Sequence, residues 1–241
     1  VNEQTQAAAL EYAKTQFPRE ACGLVIVAKG KERFWPCRNI SNRAHDQFIM
    51  CPRDYAQAEL AGEIIEVFHS HINIPPTPSD ADRAACEATG LRWLIVSLPT
   101  EAWSSLTPCG FRAPLCGRVH AWNSLDCWTL VQDWYSDTWA ISLPAPNRWP
   151  DYWLDGVDIL NDNVEAFGFR DIPEDAKIEV GDVLLFQTGD SPFPNHVGVM
   201  IENGRILHHA ENRLSSRDVY GGWLKKHTVR VVRYENRPAS R

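Results

Sequence analysis

No apolar run in this 241-residue chain approaches the roughly 20 residues needed to span a bilayer, so membrane insertion is not expected. The polar start VNEQTQ lacks the basic-then-apolar layout of a secretory leader, which predicts a protein made and folded in a cytoplasm. No run of basic residues interleaves with aromatics, and the net charge is −7, which argues against nucleic-acid binding. The seven cysteines, at positions 22, 37, 51, 86, 109, 116 and 127, are odd in number and contain no CxxC pair. That rules against a disulfide framework or a cysteine zinc site, and leaves any reactive thiol to be argued individually. There is no convincing internal repeat.

What is present is the material of two folded cores. Apolar residues make up 44% of the chain, and its length allows two cores of about 100 residues each. Residues 3–17 place Ala7, Ala8, Leu10, Tyr12, Ala13 and Phe17 at near-helical spacing, and Pro18 stops the helix. ACGLVIVA (21–28) reads as a buried strand and ERFWPC (32–37) as its return after Gly30. A helix fits 53–66, a strand IEVFHSH (65–71), a helix DADRAACEATG (80–90) closed by Gly90, and a strand RWLIVSL (92–98). The pattern breaks from 99 to about 118, so the expected division is a domain at 1–100, a linker at 101–116 and a second domain at 117–241. The second domain opens with a helix from about Ser124 to Ala140 and crosses an irregular Pro/Trp-rich stretch. It ends in strands DVLLFQ (182–187), HVGVMI (196–201), RILHHA (205–210) and TVRVVRY (228–234). Six of the ten tryptophans fall between 122 and 153, where core or lid is the favoured reading over a carbohydrate platform. The first domain is α/β and the second α+β.

In HSHINIPPTPSDAD, His69 and His71 lie two apart on a strand and so face the same way. Imidazoles at that spacing are ordinary zinc ligands, and Asp82 at the start of the next helix can supply a third. Ser79 and Asp82 also have the spacing of a capping box, a structural reading that stands beside the metal one. With Glu20 in PREACGL, the string resembles the JAMM/MPN+ metalloprotease signature. The resemblance covers about residues 5–100 and implies a mixed sheet with helices. It further implies zinc held by His69, His71 and Asp82, with Glu20 activating water and Ser79 steadying the oxyanion.

Cys127 lies in NSLDCWTLVQDWY, where Asn123 or Ser124 could cap the helix and the helix start would stabilise a thiolate. The alternative is a buried helical cysteine. Two histidines decide the matter, provided the turn at Asn203-Gly204 sets the right register. A strict two-residue turn would pair His208 with Val199, away from His196; a three-residue loop with Gly204 left-handed would pair it with Gly198, and this second geometry is expected. His196 is then base to Cys127, and His208 its orienter, with His209 a weaker candidate on the opposite face. DC at a helix head, HVG opening a strand and a histidine twelve residues later resemble the NlpC/P60 cysteine peptidases over about residues 115–235. The resemblance implies a papain-like fold and cleavage of bacterial cell-wall peptides. His120 stands where that family usually has a tyrosine and is expected to contact substrate.

A JAMM-like domain followed by an NlpC/P60-like domain resembles, as a pair, the tail assembly protein K family of long-tailed phages. That implies tail-tip proteins and peptidoglycan peptides as partners, and location in the host cytoplasm during assembly and at the virion tail tip. Two readings follow: a two-headed hydrolase, or an assembly factor whose domains chiefly bind tail-tip partners. A cellular isopeptidase acting on protein modifiers is a third, against which the second domain argues.

Overall fold

Strand β1, Cys22–Ala28, sends alternate side chains to two covered faces, and the first sheet is built around it. Its neighbours are β2 (Lys31–Cys37), β3 (Glu63–His71), β4 (Arg92–Ser97) and β5 (Trp103–Leu106), in the order β2-β1-β3-β4-β5. Only β3 and β4 run parallel, so the sheet is mixed, as expected. Helix α1 (Glu3–Gln16) covers one face, with Ala9 and Ala13 packed among Val25, Phe68, Leu94 and Val96. Helices α2 (Pro52–Ala61) and α3 (Asp80–Thr89) supply Ala58 and Cys86 to the other face, against Cys22, Leu24, Val67 and Trp93. His69 and His71 share the parity of Val67 and extend this second face.

This computed structural model describes residues 1–146, 148–173 and 175–238. It divides into two compact units, Val1–Arg112 and Ala113–Arg241. Two expectations for the first unit need correction. The helix expected over 53–66 ends at Ala61, because Gly62 is extended and sits against the Val27 carbonyl, where a Cβ would come within 2.5 Å. The β-branched Ile64 then pairs with Ile26 as part of β3. The stretch expected as a linker, 101–116, contains β5, which returns after β4 and packs Trp103 beside Phe68. Four residues with two serines carry too little periodicity to announce a strand.

In the second unit, α4 (Cys127–Trp139) packs against a six-stranded antiparallel sheet. Among the described residues the remaining α-helices and strands are α5 (Ile159–Asn163), β6 (Phe169–Asp171), β7 (Val183–Phe186), β8 (His196–Ile201), β9 (Arg205–His208), β10 (Ser216–Val219), α6 (Gly222–His227) and β11 (Thr228–Tyr234). The sheet order is β10-β9-β8-β7-β11-β6. Leu130, Val131 and Tyr135 of α4 are fully buried against Val183, Leu185, Val197 and Val199, each aliphatic side chain contributing about 1.5–3 kcal/mol. None of the six clustered tryptophans is fully exposed; Trp128 and Trp134 are core and the other four are half-buried.

The β8–β9 connection is the three-residue loop Glu202-Asn203-Gly204, and Gly198 pairs with His208. Both Asn203 and Gly204 are left-handed, not Gly204 alone. The pairing explains the glycine in HVG: a Cβ on Gly198 would lie 2.9 Å from the His208 Cβ and 2.8 Å from Ile206 Cδ1. Since the His208 Cβ is tied to its strand, Gly198→Ala is expected to destabilise the chain by about 1–3 kcal/mol in urea unfolding. A neutral result would mean that β9 can shift without cost.

Candidate functional sites

The first cluster is assembled by strand pairing. Cys22 lies opposite His69, and the pairing continues past β1, with the Ser70 amide donating to the Ala21 carbonyl at 3.0 Å. Two residues along, Glu20 therefore falls opposite His71. The buried Asn39 holds it there: its side-chain amide donates to the Glu20 carbonyl (3.0 Å) and the Gln47 carbonyl (3.1 Å). Asn39 also accepts from the Ser41 and Ile49 amides, so its hydrogen-bonding capacity is spent on shaping this loop.

Ligand atoms of Glu20, His69 and His71 lie within 4.8 Å of one another, and all three residues are buried. Asp82 joins them from α3, its Oδ1 3.1 Å from His69 Nε2 and its Oδ2 3.7 Å from His71 Nε2. The capping box and the cluster share atoms. Ser79 Oγ donates to Asp82 Oδ2 at 2.7 Å, the Ser79 amide donates to the same oxygen, and the Asp82 amide donates back to Ser79 Oγ. The structure thus places Ser79 on Asp82, as cap and as orienting group together.

The proline loop supplies a further constraint: His71 Nδ1 lies 2.7 Å from the Pro75 carbonyl, which must accept, so the proton is on Nδ1 and Nε2 faces the cluster. His69 is 1% exposed, walled by Phe48 and Trp93, and neither of its ring nitrogens makes a hydrogen bond of adequate geometry despite the 3.1 Å approach to Asp82. An imidazole buried without partners costs about 1–3 kcal/mol, so the arrangement calls for a positive centre between nitrogens and carboxylates. Imidazole nitrogen and carboxylate oxygen are the donors zinc takes, and the residues present fit it. Burial pushes Glu20 up to about 7 against the pull of both histidines. Burial also opposes ionisation of Asp82, but His69, His71 and the Ser79 bond outweigh it and hold that carboxyl well below the usual range. For His71, burial works downward, yet Asp82 and the Pro75 carbonyl leave it raised.

In the second cluster the helix cap is neither Asn123 nor Ser124 but Asp126, which accepts from the Trp128 and Thr129 amides (3.1 and 3.0 Å) and makes Cys127 the first helical residue. The reason is reciprocal: Thr129 Oγ1 accepts from the Asp126 amide at 2.7 Å, a capping box legible in DCWT but not read there. Asp126 is fully buried and paired with the buried Arg148, whose Nη1 and Nη2 lie 3.1 and 3.0 Å from its two oxygens. Asn123 clasps the Arg148 carbonyl at 2.8 Å, so the Pro/Trp-rich stretch is fastened to the head of α4.

His196 opens β8 and His208 closes β9 on the same face, with His196 Nε2 3.0 Å from His208 Nδ1. His208 Nε2 in turn lies 2.9 Å from Asp218 Oδ2, a residue the sequence reading missed because β10 is short and largely exposed. His209 makes no such bond; its buried ring packs against His120 at 5.1 Å between centroids, and His120 against Trp122 at 5.6 Å. The expected thiolate is not favoured at the helix start. Burial pushes the Cys127 thiol up to about 11, with Asp126 adding to the rise while Arg148 and the Val197 amide oppose it. Burial, then His208, His120 and His209, push His196 down to about 3. The resting pair is therefore neutral thiol and neutral imidazole.

Cys127 should accordingly alkylate slowly at neutral pH, and its rate should climb as pH approaches about 11. Peptide mass mapping after iodoacetamide treatment measures this, with the exposed Cys109 as internal comparator. A rate already at its plateau near neutrality would mean a preformed thiolate.

The family described as prokaryotic homologs of the JAB domain matches residues 2–107, and the NlpC/P60 family matches residues 116–233. Among curated proteins, tail tip assembly protein K of Escherichia phage N15 is 33% identical over 98% of this chain and 96% of its own length. Tail tip assembly protein K of Escherichia phage lambda is 35% identical over 77% of this chain and 89% of its own. A JAB1/MPN domain protein of Archaeoglobus fulgidus, of solved structure, is 20% identical and covers 45% of this chain and 87% of its own, with a TM-score of 0.30, too low to carry weight. With a third of its residues identical to a relative over nearly the full length of both, the chain belongs to the tail tip assembly protein K family, a JAB-type domain followed by an NlpC/P60 domain.

Proposed function

We propose that this protein acts in phage tail-tip assembly and carries two peptidase sites: a zinc metallopeptidase acting on a protein or isopeptide bond, and a Cys-His-His endopeptidase acting on cell-wall peptides. The names of the two phage relatives support the setting. The observation that carries the chemistry is the aligned pair His196 and His208, with Cys127 at the head of α4 and the amide of Val197, the residue after His196, turned to its thiol.

In the first domain, His69, His71 and Asp82 would hold zinc, whose contribution when bound is Lewis acidity at the scissile carbonyl and a more acidic water. The chain's own groups handle the protons. The two carboxyls are pushed apart by their surroundings, which divides their roles: Asp82 stays anionic as a ligand, and Glu20, raised to about 7, takes a proton from the attacking water and returns it to the leaving amine. Ser79 orients Asp82 and, with that bond released, has a hydroxyl to offer the oxyanion. Purified wild type is expected to hold about one zinc per chain, His69→Ala and Asp82→Ala far less, and Glu20→Gln close to the wild-type amount with no peptidase activity. Metal analysis by mass spectrometry decides this, and full zinc in His69→Ala would remove the site.

In the second domain, the Cys127 proton passes to His196 as the sulfur attacks the peptide carbonyl, the amine leaves with that proton, and water releases the acyl group. With the thiol pushed up to about 11 and the imidazole down to about 3, both chiefly by burial, the proton moves only during attack. His120, buried beside this cluster, is the residue we assign to substrate contact. The test is digestion of purified sacculi by wild type and Cys127→Ala, with released muropeptides identified by mass. Cleavage by wild type alone is expected, and none from folded, zinc-loaded protein would overturn the wall-peptidase reading.

One observation favours a second reading, an assembly factor whose domains bind tail-tip partners with catalysis secondary. Cys127 is 8% exposed and its thiol is strongly disfavoured from ionising, as in a closed site.

A further inference from the structure

Strand β10 pairs with β9 so that Ser216 lies opposite His208 and Asp218 opposite Ile206. Asp218 Oδ2 accepts from Ser216 Oγ at 2.9 Å and lies 2.9 Å from His208 Nε2. With His208 Nδ1 3.0 Å from His196 Nε2, a carboxylate and two imidazoles form one line ending at His196, whose neighbour Val197 turns its amide to the Cys127 thiol.

Counting hydrogens along that line gives every protonation site. The bond from His208 and, against a small burial cost, the Ser216 bond hold Asp218 below the usual carboxylate range, so it is ionised and can only accept. His208 Nε2 therefore carries a hydrogen. A neutral His208 then has a bare Nδ1, and the hydrogen between the rings must sit on His196 Nε2. A neutral His196 has one ring hydrogen, which leaves Nδ1 as its lone pair. Reversed, the same line would put a hydrogen on His196 Nδ1 and leave no base for the thiol.

We propose that Asp218 is a positioning residue that sets the tautomers of both His208 and His196 and so presents the His196 Nδ1 lone pair to Cys127. The proposal deepens the cysteine-peptidase reading and rests on it for its catalytic meaning. Asp218 does this from the rim: its side chain is 54% exposed, and an ion pair there contributes little to stability, so variants at this position should fold. Its influence comes from direction. An acceptor at one end of a chain of imidazoles orients all the hydrogens behind it, whereas water at the same place can donate or accept.

The test is spectroscopic first. Full-length protein labelled with 15N-histidine is examined by long-range proton–nitrogen correlation at about pH 8, above the usual histidine range, with His196→Gln and His208→Gln providing assignments. In wild type both rings should show a protonated Nε2 and a bare Nδ1. In Asp218→Ala the nitrogen shifts of both rings should move toward a mixture of tautomers, and Asp218→Glu should restore them. A protonated His196 Nδ1 in wild type, or unchanged shifts in folded Asp218→Ala, would overturn the proposal. In parallel, sacculus digestion by Asp218→Ala should lose about tenfold or more in kcat with KM little changed. An inactive wild type would sink the peptidase reading while the spectra still decide what Asp218 does, and full activity in Asp218→Ala would sink the positioning role.

Discussion

The pairing of antiparallel strands holds both sites together. In the second unit, Gly198 opposite His208 places His196 and His208 on one face within bonding distance; one residue of slip would turn His208 away from His196. In the first, Cys22 opposite His69 carries Glu20 to the level of His71. Neither cluster depends on a long flexible side chain to reach its partner, because backbone hydrogen bonds have already spent the entropy of bringing them together. That is why the residues around each site are small or hydrogen-bonded: Gly198 lets β9 approach, and Asn39 ties the Glu20 loop with all of its polar atoms.

Burial then decides where the protons rest. Glu20 and Cys127 are pushed up and His196 down, in each case chiefly by loss of water, while Asp82 and Asp126 stay ionised because partners outweigh the same penalty. In the first unit the result is one anionic and one protonatable carboxyl beside two imidazoles. In the second it is an uncharged thiol and imidazole beneath a buried ion pair, Asp126 with Arg148. That ion pair caps α4, neutralises the cap and anchors the chain segment arriving from the Pro/Trp-rich stretch. Removing either partner alone would strand a buried charge, so the helix head and that segment stand or fall together.

Much of the fold could be read from periodicity: α1, α3 with its Gly90 end, β1, β4, and the register of the β8–β9 loop came from apolar spacing and turn chemistry. The elements not foreseen share a cause. β5 and β10 are four residues each, with two and three polar residues respectively, so they have no alternation to display, and pairing with a neighbour is what makes them strands. The end of α2 was placed too late because Ile64 and Ile65 fit a helix period as well as a strand; the close approach of Gly62 to the Val27 carbonyl settles it.

The amino-acid sequence alone determined which chemical groups are available and their local spacing: two histidines on one strand face, serine and aspartate at a helix start, a cysteine at the head of another. These follow from the geometry of single elements, in which position along the chain fixes direction. Tertiary structure alone decided what those groups meet. Asp218 reaches His208 across a strand pair, and Arg148 reaches Asp126 over twenty-two residues of chain. The thiol stays protonated because of burial, a property of the packed whole. Solvent exclusion and long-range contact are sums over many neighbours, and no short stretch of sequence contains them.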